Sequence, residues 1–240
     1  MRSIGSALAA LVLPILALTW STPARADAAS DFAALRRGEM PGGFTFLGFG
    51  PDGTGYVRTI TCGETGTTYC LAQLVSVGPT GTIHATTLLD VHAFYCGPGY
   101  GPDQCDPLLA ERASFVRRER RALAALPTLT NAAPIADPTQ ACGTLADGPT
   151  TLRVRGGPRD ASQHGIVLQI VRSSGVARTL MTLGRSETAT GRVAAAFVAP
   201  DGASVVLVLM MSSTSGEWSE VTQQVVRIDL AHARAIADAP

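Results

Sequence analysis

Four turn signals constrain what this chain can fold into. Pro51-Asp52-Gly53, Gly78-Pro79-Thr80-Gly81, Arg172-Ser173-Ser174-Gly175 and Pro200-Asp201-Gly202 each stand between two short apolar runs. In the Pro-Asp-Gly turns, proline sets φ, aspartate bonds back to the backbone and glycine supplies a positive φ. A chain reversed this often between β-prone runs forms antiparallel hairpins. The predicted strands span 44–49, 55–61 and 69–77, then 166–171, 176–183, 192–198, 204–211 and 221–230. Residues 82–95 read as one further strand or two short ones. Val205 to Met211 is apolar at every position, the pattern of a strand buried on both faces.

One helix interrupts the strands. Asp106 suits an N-cap and Pro107 the first helical position. Pro127 ends the helix by forcing the preceding residue out of the helical region. Leu108, Leu109, Phe115, Val116, Ala122, Leu123 and Leu126 share one face. Glu111, Ser114, Arg117, Arg118 and Arg121 share the other. That arginine run reads as a solvated face, with an anion or partner site as the functional alternative. Residues 129–148, rich in Ala, Pro, Asp and Thr, read as a linker or long surface loop.

The two halves echo each other. Phe49-Gly50-Pro51-Asp52-Gly53 and Val198-Ala199-Pro200-Asp201-Gly202 each end one strand and open the next. This pattern resembles the blades of secreted β-propeller proteins with Phe-Ser-Pro-Asp-Gly repeats, over about 35 residues in each half, although Pro-Asp-Gly is also a generic turn. A closed ring needs at least four blades of roughly 40 residues, and two echoes are visible. The overall order is similar to a family of predicted bacterial secreted proteins of unknown function. The resemblance implies blade-like hairpin sets flanking a variable middle, and no activity. The expected fold is therefore mainly β. Two antiparallel blade-like sheets, propeller-like or sandwich but not a full propeller, flank one amphipathic helix. The expected divisions are 1–26, a 27–100 N-terminal β region, a 101–128 helix, the 129–148 segment and a 149–240 C-terminal β region.

Residues 1–26 have the layout of a secretory signal peptide. Arg2 is the positive start and Ile4 to Leu18 the apolar core. Ala24-Arg25-Ala26 offers small residues at the two positions a signal peptidase reads. Cleavage after Ala26 would leave 214 residues with 17 arginines against 19 acids, a net of −2. That balance does not favour nucleic acid or an anionic membrane. No second apolar run is long enough to span a bilayer, so the expected product is soluble. The chain has no lysine, which excludes a Schiff-base mechanism. The expected location is exported, periplasmic or extracellular.

An oxidising compartment favours disulfides among Cys62, Cys70, Cys96, Cys105 and Cys142. Two bridges and one spare allow fifteen arrangements. Cys62 and Cys70 lie near the facing ends of one predicted hairpin, and Cys96 and Cys105 bracket a Gly-Pro-rich loop. Short loops cost little to close, so 62–70 and 96–105 are the expected pairs. Cys142 is then a free thiol or the link to a protein partner. Zinc or thiol redox chemistry is the alternative, without a Cys-x-x-Cys to support it.

His84, Asp90, His92, Cys96 and Cys105 invite a metal reading. On one continuous strand His84 and His92 share a face but stand about 26 Å apart. Asp90 and His92 can meet, as a surface hydrogen bond or as a catalytic dyad. His164 in a turn and His232 near the C-terminus have no evident partner. Gly48-Phe49-Gly50-Pro51-Asp52-Gly53 matches Gly-x-Gly-x-x-Gly, but a β-type segment follows it where a dinucleotide site needs a helix. Gly-x-Ser-x-Gly and His-Glu-x-x-His are absent. Ser212-Ser213-Thr214-Ser215-Gly216 reads as a flexible loop. Trp218 beside it serves either ligand stacking or packing. The leading expectation is a non-catalytic binding or structural module without metal or cofactor, with Asp90, His92 and Trp218 as candidate contacts. The alternative is a metal-dependent or hydrolytic enzyme using Asp90 and His92.

Overall fold

The computed structural model describes residues 27–37, 39, 42–64, 68–145, 148–156, 166–184, 190–215 and 218–239. The expected signal segment and His164 lie outside them.

The described chain begins with a helix, α1 (Ala28–Arg36), where the sequence reading expected only β structure. The cause is local. The Asp27 side chain accepts the Ser30 N–H at 2.8 Å, and the Ser30 hydroxyl accepts the Asp27 N–H at 3.1 Å. This reciprocal cap satisfies two donors at the helix start. Ala28, Phe32 and Leu35 then bury one side of α1.

Strands β1 (Gly43–Phe49), β2 (Gly55–Glu64), β3 (Thr68–Val77) and β4 (Ile83–His92) form an antiparallel meander in that order. The segment 82–95 is thus a single strand followed by a loop. Helix α2 (Pro102–Ala124) starts earlier than the sequence reading placed it, with Gly101 as N-cap and Pro102 in the first turn. Pro107 lies inside the helix, where it forfeits the bond to the Asp103 carbonyl. The Tyr95 N–H donates to the Gln104 carbonyl at 2.9 Å, which draws the helix start back over the preceding loop.

Residues 129–143 run along the sheets. Thr130 bridges to Phe49 and Pro134 to Phe197. The two-stranded ribbon β5 (Thr144–Leu145) and β6 (Gly148–Pro149) leads into β7 (Thr151–Gly156), which the sequence reading missed. With β8 (Ile166–Val171) and β9 (Ala177–Gly184) it forms a second meander. The third meander is β10 (Thr190–Val198), β11 (Ser204–Ser215) and β12 (Trp218–Asp229). Ser212 to Ser215 belong to β11, paired with Val221 to Trp218, and are not the flexible loop expected of them. Helix α3 (Leu230–Asp238) closes the chain, capped by Asp229, which accepts the His232 N–H at 2.7 Å.

The three large meanders stack face to face with the β10–β12 sheet in the middle. The alternation along β11 reflects this. Val205, Leu207 and Leu209 enter the core shared with β7–β9 and α3. Val206 and Val208 enter the core shared with β1–β3. An all-apolar strand results because both of its faces exclude water. Phe46 and Phe197 stack across the second of these cores, with centroids 3.9 Å apart. The outer face of the β1–β4 sheet is covered by α1 and α2.

The two Pro-Asp-Gly turns meet at one residue. Arg227 on β12 donates to the Gly53 carbonyl at 2.5 Å and to the Ser204 hydroxyl at 2.9 Å. Gly53 and Gly202 take φ of +79° and +67°, the region glycine enters without steric cost. Asp52 accepts the Thr54 N–H at 3.0 Å, and Asp201 the Ala203 N–H at 2.9 Å. Desolvation lowers the Arg227 pKa, opposed by the charges of Asp201 and Asp52.

Candidate functional site

The helical cover over β1–β4 holds a buried charge cluster. Arg58 of β2 is 3% exposed. Its Nε donates to Glu119 of α2 at 2.6 Å, and another guanidinium nitrogen donates to Asp31 of α1. The second Glu119 oxygen accepts the Ala28 N–H at 2.8 Å. The guanidinium also lies over the Phe115 ring, 6.0 Å from its centroid. One cation thus joins three elements through two buried carboxylates. Burial pushes the Asp31 carboxyl upward, with Arg58 opposing and the Glu119 charge adding to the rise. The fixed donor geometry of the guanidinium holds Glu119 on Nε and Asp31 on a terminal nitrogen at once. The sequence reading missed all three residues. A signal was present: Glu119 falls four residues after Phe115 on the apolar stripe of α2, and Asp31 three after Ala28 on that of α1.

Turning Glu119 inward leaves Arg117, Arg118, Arg120 and Arg121 as its exposed neighbours on α2. In the next turn Ala122 and the C-cap residue Ala125 place small side chains beside the sheet. Between the end of α2 and the β2–β4 face lies a groove of about 420 Å³. Tyr56, Leu74, Leu88 and Leu126 supply its apolar lining, Ser76, Thr86 and Thr87 its hydroxyls, and Arg118 and Arg121 its basic rim. Arg118 is committed, donating to the Leu88 carbonyl at 2.6 Å and to Glu111 at 2.8 Å. The Arg121 side chain has no hydrogen-bond or ion-pair partner among the described residues, its backbone carbonyl accepting the Ala125 N–H. Burial raises the Tyr56 pKa, and the nearby Asp52 charge adds to it.

The histidines separate. A bulge in β4 pairs Ala72 with Leu89 but Gln73 with Thr87, so Leu88 is the extra residue and strand parity changes there. His84 and His92 consequently lie on opposite faces, which corrects the expectation of a shared one. His84 pairs with Ser76, placing it on the groove face beyond the groove's lining. His92 pairs with Tyr69 and stacks on its ring at 5.9 Å. Its Nε2 is 2.9 Å from Asp90 Oδ1, with the two side chains 65% and 57% exposed. Asp90 and His92 are therefore brought together, on the face away from the groove. Trp218 opens β12 opposite Ser215; the expected contact of its side chain lies outside the described residues. His232 sits in the first turn of α3.

Cys62 and Cys70 stand opposite each other on β2 and β3 with Cα atoms 4.1 Å apart. Cys96 and Cys105 join the loop after β4 to the start of α2 at 4.9 Å. Both pairs are at disulfide distance. Cys142 is unpaired, 1% exposed and packed in the core under α3. Burial pushes its thiol up to about 11, against the pull of Arg234. Among the described residues no three His, Cys, Asp or Glu side chains group as a metal site, and no helix is long and apolar enough to cross a membrane.

Fold and groove together define a mainly β protein of stacked antiparallel sheets with a helical cover over one outer face. No family model, curated protein or solved structure matches the chain.

Proposed function

We propose that this is an exported, non-catalytic binding module, with the groove between α2 and the β2–β4 face as its binding place. The groove carries the reading: it is concave, largely apolar and supplied with a few polar groups, at a size usual for small-molecule sites. Export is supported by the N-terminal layout of the sequence and by two cysteine pairs at bonding distance, since disulfides persist in oxidising compartments. The three stacked meanders are read as blade-like units, by their antiparallel order and face-to-face packing. Chemistry at Asp90 and His92 is the weaker reading, because an exposed pair gains little from its surroundings. A covalent partner through Cys142 would require the core under α3 to open.

The test is titration of an anionic fluorescent naphthalene dye onto the folded protein. One saturable site per chain, abolished by Ala125→Phe at unchanged circular dichroism, is expected. Absence of saturable binding, or binding indifferent to Ala125→Phe, would refute the assignment.

A further inference from the structure

We infer that the groove takes a single-chain amphiphile with a monoanionic carboxylate head, its chain over Leu74 and Leu88 and its head at Arg121. The inference rests on the binding reading above and names the ligand class.

The apolar floor asks for an apolar chain. The choice of head follows from how the charges are distributed. Arginines at a helix C-terminus answer the helix dipole whatever else they do, so their presence alone decides nothing. Their commitments differ, however. Arg118 already donates to the Leu88 carbonyl and Glu111, and so fixes the groove wall. Glu119, the only acid between Arg117 and Arg121, is turned inward to Arg58. Arg121 is left at the groove with no carboxylate within ion-pair distance among the described residues. A guanidinium binds a carboxylate through parallel hydrogen bonds, while a cationic head would meet repulsion from Arg121. A larger branched lipid is disfavoured by a groove of about 420 Å³.

Isothermal titration with straight-chain carboxylates, and with an alcohol and a trimethylammonium of equal chain length, tests this. The dissociation constant of the carboxylates is expected to fall about fourfold per added methylene until the groove is filled. Arg121→Gln should weaken the carboxylate about fivefold and leave the alcohol unchanged, as for a partly exposed ion pair. Ala125→Phe should abolish binding of every chain, with melting curves verifying that both variants fold. Equal affinity for carboxylate and alcohol, or preference for the cation, overturns the head assignment while leaving a binding module. No binding by any of the three classes overturns both readings. Self-association seen by sedimentation and lost in Ala125→Phe would give the groove to a second copy and also overturn the proposal.

Discussion

Replacing Arg58 with alanine should be among the most damaging single changes in this protein, and its damage should depend on pH. The substitution leaves Asp31 and Glu119 buried without their cation. Breaking a buried pair in this way costs about 3–5 kcal/mol, a large share of the roughly 5–15 kcal/mol that holds a domain together. The pH dependence follows from Asp31. Its pKa is already raised by burial, and Arg58 is the main influence pulling it down. Without Arg58 the folded-state pKa rises further above the unfolded value. Such a group contributes stability that is complete below the unfolded pKa and lost as pH rises through the folded one. The deficit of Arg58→Ala should therefore be larger at pH 7 than at pH 4.5. Urea unfolding followed by far-UV circular dichroism at both pH values measures it. The combined variant Arg58→Met, Asp31→Leu, Glu119→Gln should recover to within about 2 kcal/mol of the parent, because glutamine keeps an acceptor for the Ala28 N–H. A single-variant loss below about 1 kcal/mol, or a deficit equal at both pH values, would refute the reasoning.

Gly48→Ala should cost at least about 2 kcal/mol by denaturant titration: φ is +133°, and a Cβ would meet the Thr130 carbonyl oxygen at 2.7 Å. Peptide mapping under non-reducing conditions should recover Cys62–Cys70 and Cys96–Cys105 as linked peptides, and replacing the Cys96–Cys105 pair by serines should lower stability by about 2.5 kcal/mol through loop closure. Cys142 should resist a thiol reagent at pH 8 in the folded protein, because burial holds its pKa at about 11, and should react fully in urea. N-terminal sequencing of protein recovered from an exporting host should begin at Asp27.

Most strands were legible because they depend on nearby chemistry, whereas β7 and the end of β11 were not. Alternation, β-branched residues and Pro-Asp-Gly turns act within a few positions, and Ile166–Val171 falls at the bounds read from sequence. Short-range cysteine spacing indicated the two pairs for the same reason. The helices were less legible. α1 was missed because its single capping exchange was hidden beside the proposed cleavage point. The start of α2 was misplaced because two prolines, Pro102 and Pro107, offered the same signal. The β4 bulge was invisible: it takes one extra residue, Leu88, and only pairing with β3 reveals which one. That residue decides the faces on which His84 and His92 lie.

The sequence by itself determined that this chain makes antiparallel hairpins, where they turn, and that the apolar run from Val205 is buried on both faces, which holds through Leu209 and lapses at the half-buried Met210 and Met211. Those outcomes follow from backbone sterics and hydrophobic period, which are properties of neighbouring residues. Only the tertiary structure decided what covers those faces. It brought Gly53 and Ser204 to one arginine, and Asp31 and Glu119, 88 positions apart, to another. It also set the end of α2 beside the β2–β4 face with a groove between them. Burial and charge pairing depend on what lies nearby in space, and a linear chain does not state which distant residues those are.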